Sequence, residues 1–258
     1  MINRVIDIVK QASRLMADNI TIEQKGNDSN FVTSADVNVQ HYLQEKLPQL
    51  IPESTFLGEE EEPAQINSEY VWVVDPIDGT ANFIRGLKVS VISVGLMKEN
   101  KPYLGVIYDP YKDEIYYAER GKGSFVNGKP IHVSDRDFKH ALICTAASLY
   151  NKDLANPCFN IMQEVYMQAD DFRRFGAAAN EMTYLAAGRI ELYFEIRLFP
   201  WDMAAGIVII EEAGGFVEIL HEEGLPLDRP AGIIAANSKE NFEKLREIVY
   251  REIPAKLY

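Results

Sequence analysis

The chain has 258 residues, 47% of them hydrophobic and 25% charged, and a net charge of −13. This length allows one domain or two closely joined halves, because single hydrophobic cores begin to divide near this size. The acidic balance argues against nonspecific binding to nucleic acid or anionic membranes, and with neither a long apolar run nor a signal peptide we expect a cytoplasmic protein.

The first half of the chain predicts two helices, then buried strands. Apolar residues recur at helical spacing over residues 3–18 and again in the helix that carries Val39 and Leu43. Between these helices, residues 21–36 are polar, so we expect a loop. The runs STFL and YVWVV predict buried strands, and short apolar runs from 89 to 133, separated by turn signals, predict a meander of antiparallel strands.

After the meander, strands and helices alternate again. We expect a strand at ALICTAAS, helices near 153–168 and 177–188, and a strand at IELYFEI. The segment DMAAGIVIIEEAGG predicts a helix that ends at a glycine, and FVEIL and GIIAA predict two more strands. A last helix is expected to open at Asn237, because Glu240 three residues later completes a capping-box pattern.

These elements predict a mixed α and β protein built in layers. We place the boundary between its two halves where the meander stops. Residues 1–136 then form an N-terminal α+β half, and residues 137–258 form a C-terminal α/β half.

The stretch DPIDGT, residues 75–80, places two carboxylates at the end of a buried strand. A residue before proline favours extended backbone, so Asp75 continues the strand and Pro76 ends it. Gly79 permits close approach to a ligand, and Thr80 can begin a helix whose free N–H groups favour phosphate. Carboxylates beside an anion site need bridging cations, and Mg²⁺ prefers such oxygens. A simple Asp-Pro turn explains the same residues.

Two other segments supply carboxylates for such a site. GEEEEP, residues 58–63, follows a predicted strand, but a solvated acidic run has the same composition. Asp202 stands at the start of a predicted helix, where a simple N-cap is the alternative. The prediction of a cation-bridged phosphate site therefore depends on finding all three segments in one chain.

The motifs GEE (58–60), DPIDGTANF (75–83) and WDMAAGIVIIEEAGG (201–215) together resemble the inositol monophosphatase family of Mg²⁺-dependent phosphatases. Their order and approximate spacing fit from Lys25 to Gly215. The resemblance implies a layered αβαβα sandwich, a homodimer, sensitivity to lithium and two or three Mg²⁺ ions. It also implies hydrolysis of a small phosphate monoester by a metal-activated water, with inositol monophosphate as the first candidate substrate.

The resemblance also assigns roles by position. The implied metal ligands are Glu59, Asp75, the carbonyl of Ile77, Asp78 and Asp202. Thr80, oriented by Asp36, is implied to help deprotonate the attacking water, with Glu59 as a third catalytic residue. Lys25 is implied to belong to a mobile metal loop. Substrate contacts are implied for Asp78, Gly79, Thr80, Gly176, Ala177, Ala178, Glu195 and Asp202.

The sequence departs from the family pattern at two substrate-side positions. Ala177 stands where relatives often carry Ser or Thr, and Arg197 stands where inositol-specific members often have Gly. Our hypothesis is that Arg197 favours a substrate with additional negative charge; the alternative is an arginine that only faces solvent. Arg173 and Arg174 could reach phosphate, but we interpret them as surface or interface ion-pair residues.

Other functions remain compatible with this resemblance. The same scaffold carries fructose-1,6-bisphosphatase and nucleotide 3′-phosphatase activities, and a non-catalytic regulatory protein can retain the fold. Loss of a metal ligand would favour the regulatory protein, but no acidic ligand is missing. We therefore expect a small phosphorylated polyol or sugar as the partner, and neither nucleic acid nor membrane.

Overall fold

A computed structural model of the chain describes residues 1–16, 20–24, 31–60, 66, 68–147 and 152–253. Lys25 lies outside these described residues. The helices are α1 (Ile2–Ala12), α2 (Ser34–Lys46), α3 (Thr80–Ile84), α4 (Ala155–Tyr166), α5 (Ala178–Ala186), α6 (Pro200–Glu212) and α7 (Lys239–Glu252). Among the described residues, no helix combines the length and apolarity needed to cross a membrane.

In the part of the chain that the structure describes, the strands form three sheets. They are β1 (Ile22–Gln24), β2 (Phe31–Thr33), β3 (Thr55–Gly58), β4 (Tyr70–Asp78), β5 (Val91–Lys98), β6 (Lys101–Asp109), β7 (Glu114–Glu119), β8 (Ser124–Val126), β9 (Lys129–Ile131), β10 (Leu142–Ala146), β11 (Asp171–Arg173), β12 (Leu192–Leu198), β13 (Phe216–Ile219) and β14 (Ala231–Ala236). β1 and β2 pair alone. The large sheet has the order β3-β4-β5-β6-β7-β8-β9, and the smaller has the order β11-β10-β12-β14-β13.

Helices and sheets alternate in five layers, which confirms the predicted αβαβα sandwich. α1 and α2 cover one face of the seven-stranded sheet, α5 and α6 lie between the two large sheets, and α4 and α7 cover the far face of the five-stranded sheet. Strand β4 is buried on both faces because of this arrangement. Val71 and Val73 face the central helices, whereas Trp72 and Val74 face α1 and α2.

The meander is confirmed, since strands β5 to β9 pair consecutively and antiparallel. The expectation of a loop over residues 21–36 was wrong in part. β1 pairs with β2, and α2 begins at Ser34. A capping box accounts for this early start: Thr33 caps the helix, and the Asp36 carboxylate accepts the Thr33 N–H at 2.8 Å.

Pro76 does not end its strand, contrary to the prediction. Asp75 pairs with Ser93 of β5 and Asp78 pairs with Val91, so two residues of β4 lie opposite one residue of β5. This is a β-bulge, one of the few sheet positions where a proline without an N–H is tolerated. The ladder is thus interrupted at the proline and resumes after it.

The last helix begins one residue later than predicted. Ser238 is the N-cap of α7, and its hydroxyl accepts the N–H of Asn241. The Asn237 side chain instead donates to the carbonyls of Ser134 and Arg136, which lie before β10. Asn237 therefore fastens the start of α7 to the segment that follows the meander.

Candidate metal centre and active site

The bulge in β4 determines how the two aspartates of DPID are placed. The side chains of residues three apart in a regular strand point to opposite faces of the sheet. The extra residue of the bulge places the side chains of Asp75 and Asp78 on the same face. Asp202, from the first turn of α6, reaches the same point. Carboxylate oxygens of Asp75, Asp78 and Asp202 lie within 4.8 Å of one another. The tertiary structure thus brings together three of the predicted metal ligands.

Asp78 is held by the first turn of α5. Its carboxylate accepts the backbone N–H groups of Ala178 at 3.0 Å, Ala179 at 2.8 Å and Asn180 at 3.3 Å. Burial raises the pKa of Asp78 to about 6, although these three N–H groups oppose the rise. The N-terminus of α5 therefore fixes the side chain of Asp78, which comes from the seven-stranded sheet.

Asp75 lies in an environment that disfavours its charge. Its side chain is 2% exposed, and burial raises its pKa well above the ordinary value; Glu59, Asp78 and Asp202 raise it further. Burial likewise raises the pKa of Asp202, followed by the charges of Asp78 and Glu59. The carboxylates of Glu59, Asp78, Asp202 and Asp36 all raise the pKa of Asp75. The cluster therefore fits a divalent cation, which takes carboxylate oxygens as ligands.

Glu59 lies immediately after β3 on the wall of the same pocket. β3 is parallel to β4, so both strands end at the same edge of the sheet. The backbone N–H of Glu59 donates to the carbonyl of Val74 at 3.2 Å, which continues the ladder by one residue. Glu59 therefore lies beside the aspartates on the pocket wall, close enough to raise the pKa of Asp75.

Thr80 and Asp36 meet as the resemblance implied. Thr80 Oγ1 lies 3.2 Å from Asp36 Oδ1 and 3.0 Å from the carbonyl oxygen of Ile77, and its single proton serves one of these acceptors at a time. The other oxygen of Asp36 accepts the N–H and the hydroxyl of Thr33. The capping box of α2 thus orients Asp36 and leaves Oδ1 for Thr80.

The substrate-side positions of the prediction line the same pocket. They are Gly79, Gly176, Ala177, Ala178 and Glu195. Glu195 is almost buried on β12, and burial followed by the nearby Glu181 carboxylate raises its pKa well above the ordinary value. The α3 helix begins at Thr80 as predicted, but it has only five residues.

Two arginines extend the pocket beyond the predicted residues. Arg197 and Arg174 are both exposed and both line it. Arg173 pairs with Asp171 at 2.5 Å, as expected for a surface ion pair. Arg174 is exposed, as expected for a surface residue, and it also lines the pocket. Its positive charge lies close enough to favour ionisation of Glu181 and therefore lowers the pKa of that side chain against the effect of burial.

Comparison with known proteins decides the family. A model of the inositol monophosphatase family matches residues 1–253. The chain belongs to the inositol monophosphatase family. It is 33% identical to the inositol-1-monophosphatase of Rhizobium meliloti, over 99% of this chain and 98% of that protein. It is 36% identical to the fructose-1,6-bisphosphatase/inositol-1-monophosphatase of Aquifex aeolicus, over 78% and 76%, and 34% identical to the Nus factor SuhB of Escherichia coli, over 84% of each chain.

Solved structures of the inositol monophosphatase family share this fold. The extragenic suppressor protein SuhB of Bartonella henselae superposes with a TM-score of 0.88 at 33% identity, over 98% of this chain and 99% of that one. An IMPase/NADP phosphatase complexed with Mg²⁺ and phosphate has a TM-score of 0.81 at 27% identity, over 95% and 91%. A staphylococcal inositol monophosphatase-1 in a LiCl-soaked inhibitory complex has the same TM-score and identity, over 95% and 90%. Membership supports phosphatase chemistry and metal binding.

Proposed function

We propose that this protein is a Mg²⁺-dependent phosphatase that hydrolyses a small phosphorylated polyol or sugar, with inositol monophosphate as the first candidate. The observation that carries the proposal is the cluster of Asp75, Asp78 and Asp202, whose carboxylate oxygens lie within 4.8 Å of one another. Burial and neighbouring carboxylates raise the pKa of Asp75 and of Asp202. The predicted ligands Glu59 and the carbonyl of Ile77 line the same pocket. Two or three Mg²⁺ ions are expected there.

The chain's own residues position the reaction. When bound, Mg²⁺ neutralises phosphate charge and lowers the pKa of water. Thr80 donates its hydroxyl proton to Asp36, so a lone pair of the Thr80 oxygen is free to accept a proton from the attacking water. Glu59 is proposed as the third catalytic residue. The backbone of Gly79 and Thr80 is proposed to hold the phosphate.

Another part of the pocket wall is proposed to hold the alcohol portion of the substrate. This wall comprises Gly176, Ala177, Ala178 and Glu195. Glu195 offers carboxylate oxygens to hydroxyl donors, which a polyol supplies in number. Ala177 offers only its backbone and methyl group. These groups support a polyol or sugar phosphate in preference to an apolar ester.

The proposal is tested with a panel of phosphate esters under Mg²⁺ and after chelation. Inositol 1-phosphate, fructose 1,6-bisphosphate and adenosine 3′,5′-bisphosphate separate the three phosphatase activities of this scaffold. We expect hydrolysis of inositol 1-phosphate that stops with EDTA and returns with Mg²⁺. Li⁺ is expected to inhibit it. Hydrolysis that continues undiminished after chelation would contradict the metal mechanism.

A regulatory role is the second candidate function, and the identity to the Nus factor SuhB of Escherichia coli favours it. The two roles make different demands on the acidic cluster. Asp75→Asn should stop hydrolysis, whereas a purely regulatory effect would survive this change. Measuring both in one variant separates the candidates.

We also propose that the protein forms a homodimer through an exposed apolar patch on α4 and β11. β11 is an edge strand of the five-stranded sheet, and edge strands tend to be covered. The large apolar side chains exposed there are Phe159 at 56%, Tyr166 at 50%, Met167 at 75% and Phe172 at 40%. A second copy would bury them. Sedimentation equilibrium should show a dimer, and Met167→Glu should shift it towards monomer.

A further inference from the structure

The segment Phe175–Ala177, here called the wall segment, connects β11 to α5 and lines the pocket. Gly176 and Ala177 face the proposed alcohol portion of the substrate. Gly176 has a φ of +78°, in the left-handed region that glycine tolerates best. Since the segment contacts ligand mainly through backbone and small side chains, the placement of its backbone decides the shape of this side of the pocket.

Glu181 holds the N–H groups of the wall segment. Its Oε1 accepts the N–H of Phe175 at 2.6 Å and the N–H of Gly176 at 3.0 Å. The side chain is 1% exposed, and Oε2 is buried without a hydrogen-bond partner among the described residues. Burial raises the pKa of Glu181 to about 7. The two N–H groups oppose this rise and offset part of the cost of burying the acid.

Asn82 holds the carbonyl groups of the same segment from the opposite side. Its Nδ2 lies 2.7 Å from the carbonyl oxygen of Phe175, 3.2 Å from that of Gly176 and 2.9 Å from that of Val89. Asn82 belongs to α3, two residues beyond Thr80. One carboxamide therefore fixes the distance between the wall segment and the helix that carries the predicted catalytic hydroxyl.

The wall segment packs tightly against the start of α3. A Cβ placed on Gly79 would lie 3.0 Å from the Cβ of Ala177 and 3.2 Å from the carbonyl oxygen of Gly176. A shift of the segment by a few tenths of an ångström would thus change its contact with Gly79, the residue before Thr80. Neither Glu181 nor Asn82 lines the pocket itself, so both act through the backbone they hold.

We propose that Glu181 and Asn82 are positioning residues that clamp the wall segment between them and so fix the subsite for the alcohol portion of the substrate. This inference rests on the proposed function. The hydrogen bonds described for Glu181 and Asn82 do not involve the three aspartates or the Thr80–Asp36 pair, so we expect these groups to stay in place when either clamp is lost. The substrate is therefore expected to bind less tightly while the chemical step changes little, which appears as a raised KM.

Kinetics with inositol 1-phosphate and Mg²⁺ test the clamp. Glu181→Ala and Asn82→Ala should each raise KM by about 10-fold and change kcat by less than about three-fold. Glu181→Gln should keep the wild-type KM, because the amide oxygen of glutamine can accept the same two N–H groups. The double variant should raise KM by less than the product of the single effects, since both side chains act on one segment.

Glu191→Ala is the matched control. Glu191 is also 1% exposed and also accepts a backbone N–H, that of Leu142 at 2.8 Å, but it lies outside the pocket. Its loss should lower stability and leave KM unchanged. The proposal is overturned if Glu181→Ala and Asn82→Ala keep the wild-type KM, or if Glu181→Gln shows the same KM as Glu181→Ala.

Amide hydrogen exchange of the wall segment supplies a readout that needs no activity. Exchange at Phe175 and Gly176 should accelerate by about 10-fold or more in Glu181→Ala and stay slow in Glu181→Gln. Asn82→Ala, a change at a half-buried side chain, provides the same test if Glu181→Ala does not fold. A wild-type protein that hydrolyses no phosphate ester would refute the proposed function, whereas unchanged exchange in both alanine variants would refute the clamp.

Discussion

Asp75 and Glu191 are buried carboxylates in different parts of the molecule, and the charged groups described next to them differ in sign. Glu191 is 1% exposed; it accepts from Arg136 at 2.7 Å, from the Ser134 hydroxyl at 2.8 Å and from the N–H of Leu142 at 2.8 Å. Asp75 is 2% exposed and surrounded by other carboxylates.

The difference shows how to distinguish a structural acid from a binding one. A buried charge is tolerated when cations and N–H donors of the protein replace its lost hydration. Glu191 meets this condition, so it has a sufficient structural role. Asp75 accepts the N–H of Ile77 at 2.9 Å and Asp78 accepts three N–H groups of α5, but nearby carboxylates still raise the pKa of Asp75. A cation bound in the pocket above them would offset this repulsion.

The largest effects are expected from two isosteric substitutions, Asp75→Asn and Glu191→Gln, which should shift the free energy of unfolding in opposite directions. Asp75→Asn should lower kcat for phosphate ester hydrolysis by at least about 10³-fold and raise the free energy of unfolding of the metal-free protein, because a repelling charge is removed. Glu191→Gln should keep kcat and lower the free energy of unfolding by about 1.5–3 kcal/mol. Steady-state kinetics and urea unfolding measure both. A loss of stability in metal-free Asp75→Asn would contradict the comparison.

The second effect concerns pH. Burial raises the pKa of Asp78 from 3.8 to about 6 and that of Asp75 well above its ordinary value. The folded metal-free protein then binds more protons than the unfolded chain, so its free energy of unfolding falls as pH rises from about 4 through 6 and above. Mg²⁺ at 100 times its dissociation constant should add about 2.7 kcal/mol at pH 7.

Urea unfolding at several pH values, with Mg²⁺ or EDTA, checks this expectation. Subtracting the curve of Asp78→Asn from that of the wild type isolates the aspartate contribution from the rest of the chain. A wild-type stability without Mg²⁺ that rises relative to Asp78→Asn between pH 4 and 6 would give the wrong sign and refute the assigned environment.

The smallest expected effect is that of Arg197 on the choice between substrates. Arg197 is exposed and lines the pocket, so it should favour substrates with a second anionic group. Arg197→Gln should lower kcat/KM for fructose 1,6-bisphosphate relative to inositol 1-phosphate by about two- to five-fold, as expected of a solvent-screened charge pair. Arg14→Gln, at an exposed arginine outside the pocket, is the control. An unchanged ratio would show that Arg197 only faces solvent.

Local patterns were sufficient for most elements of the fold. Hydrophobic periodicity located the helices and the buried strands, and turn residues separated the strands of the meander. The errors occurred where side chains redirected the backbone. The Thr33–Asp36 capping box started α2 early, the bulge carried β4 past Pro76, and Ser238 took the cap expected of Asn237.

The site was predicted in part, for a similar reason. The acidic motifs named the residues, and the family resemblance gave them roles. The position of Arg174 on the pocket wall and the two backbone N–H groups that Glu181 accepts were not predicted. The one signal for Glu181 was its position in the first turn of a predicted helix, where acids are common.

The sequence by itself determined the family, the layered fold and which acidic residues are available to a cation, because these follow from local patterns and motif order. Only the tertiary structure decided that Asp75 and Asp78 share a face, that α5 holds Asp78, and that Glu181 and Asn82 grip one segment from two sides. Such contacts join residues up to about a hundred positions apart, and their energies depend on burial and on the alignment of donors with acceptors, which the order of residues does not express.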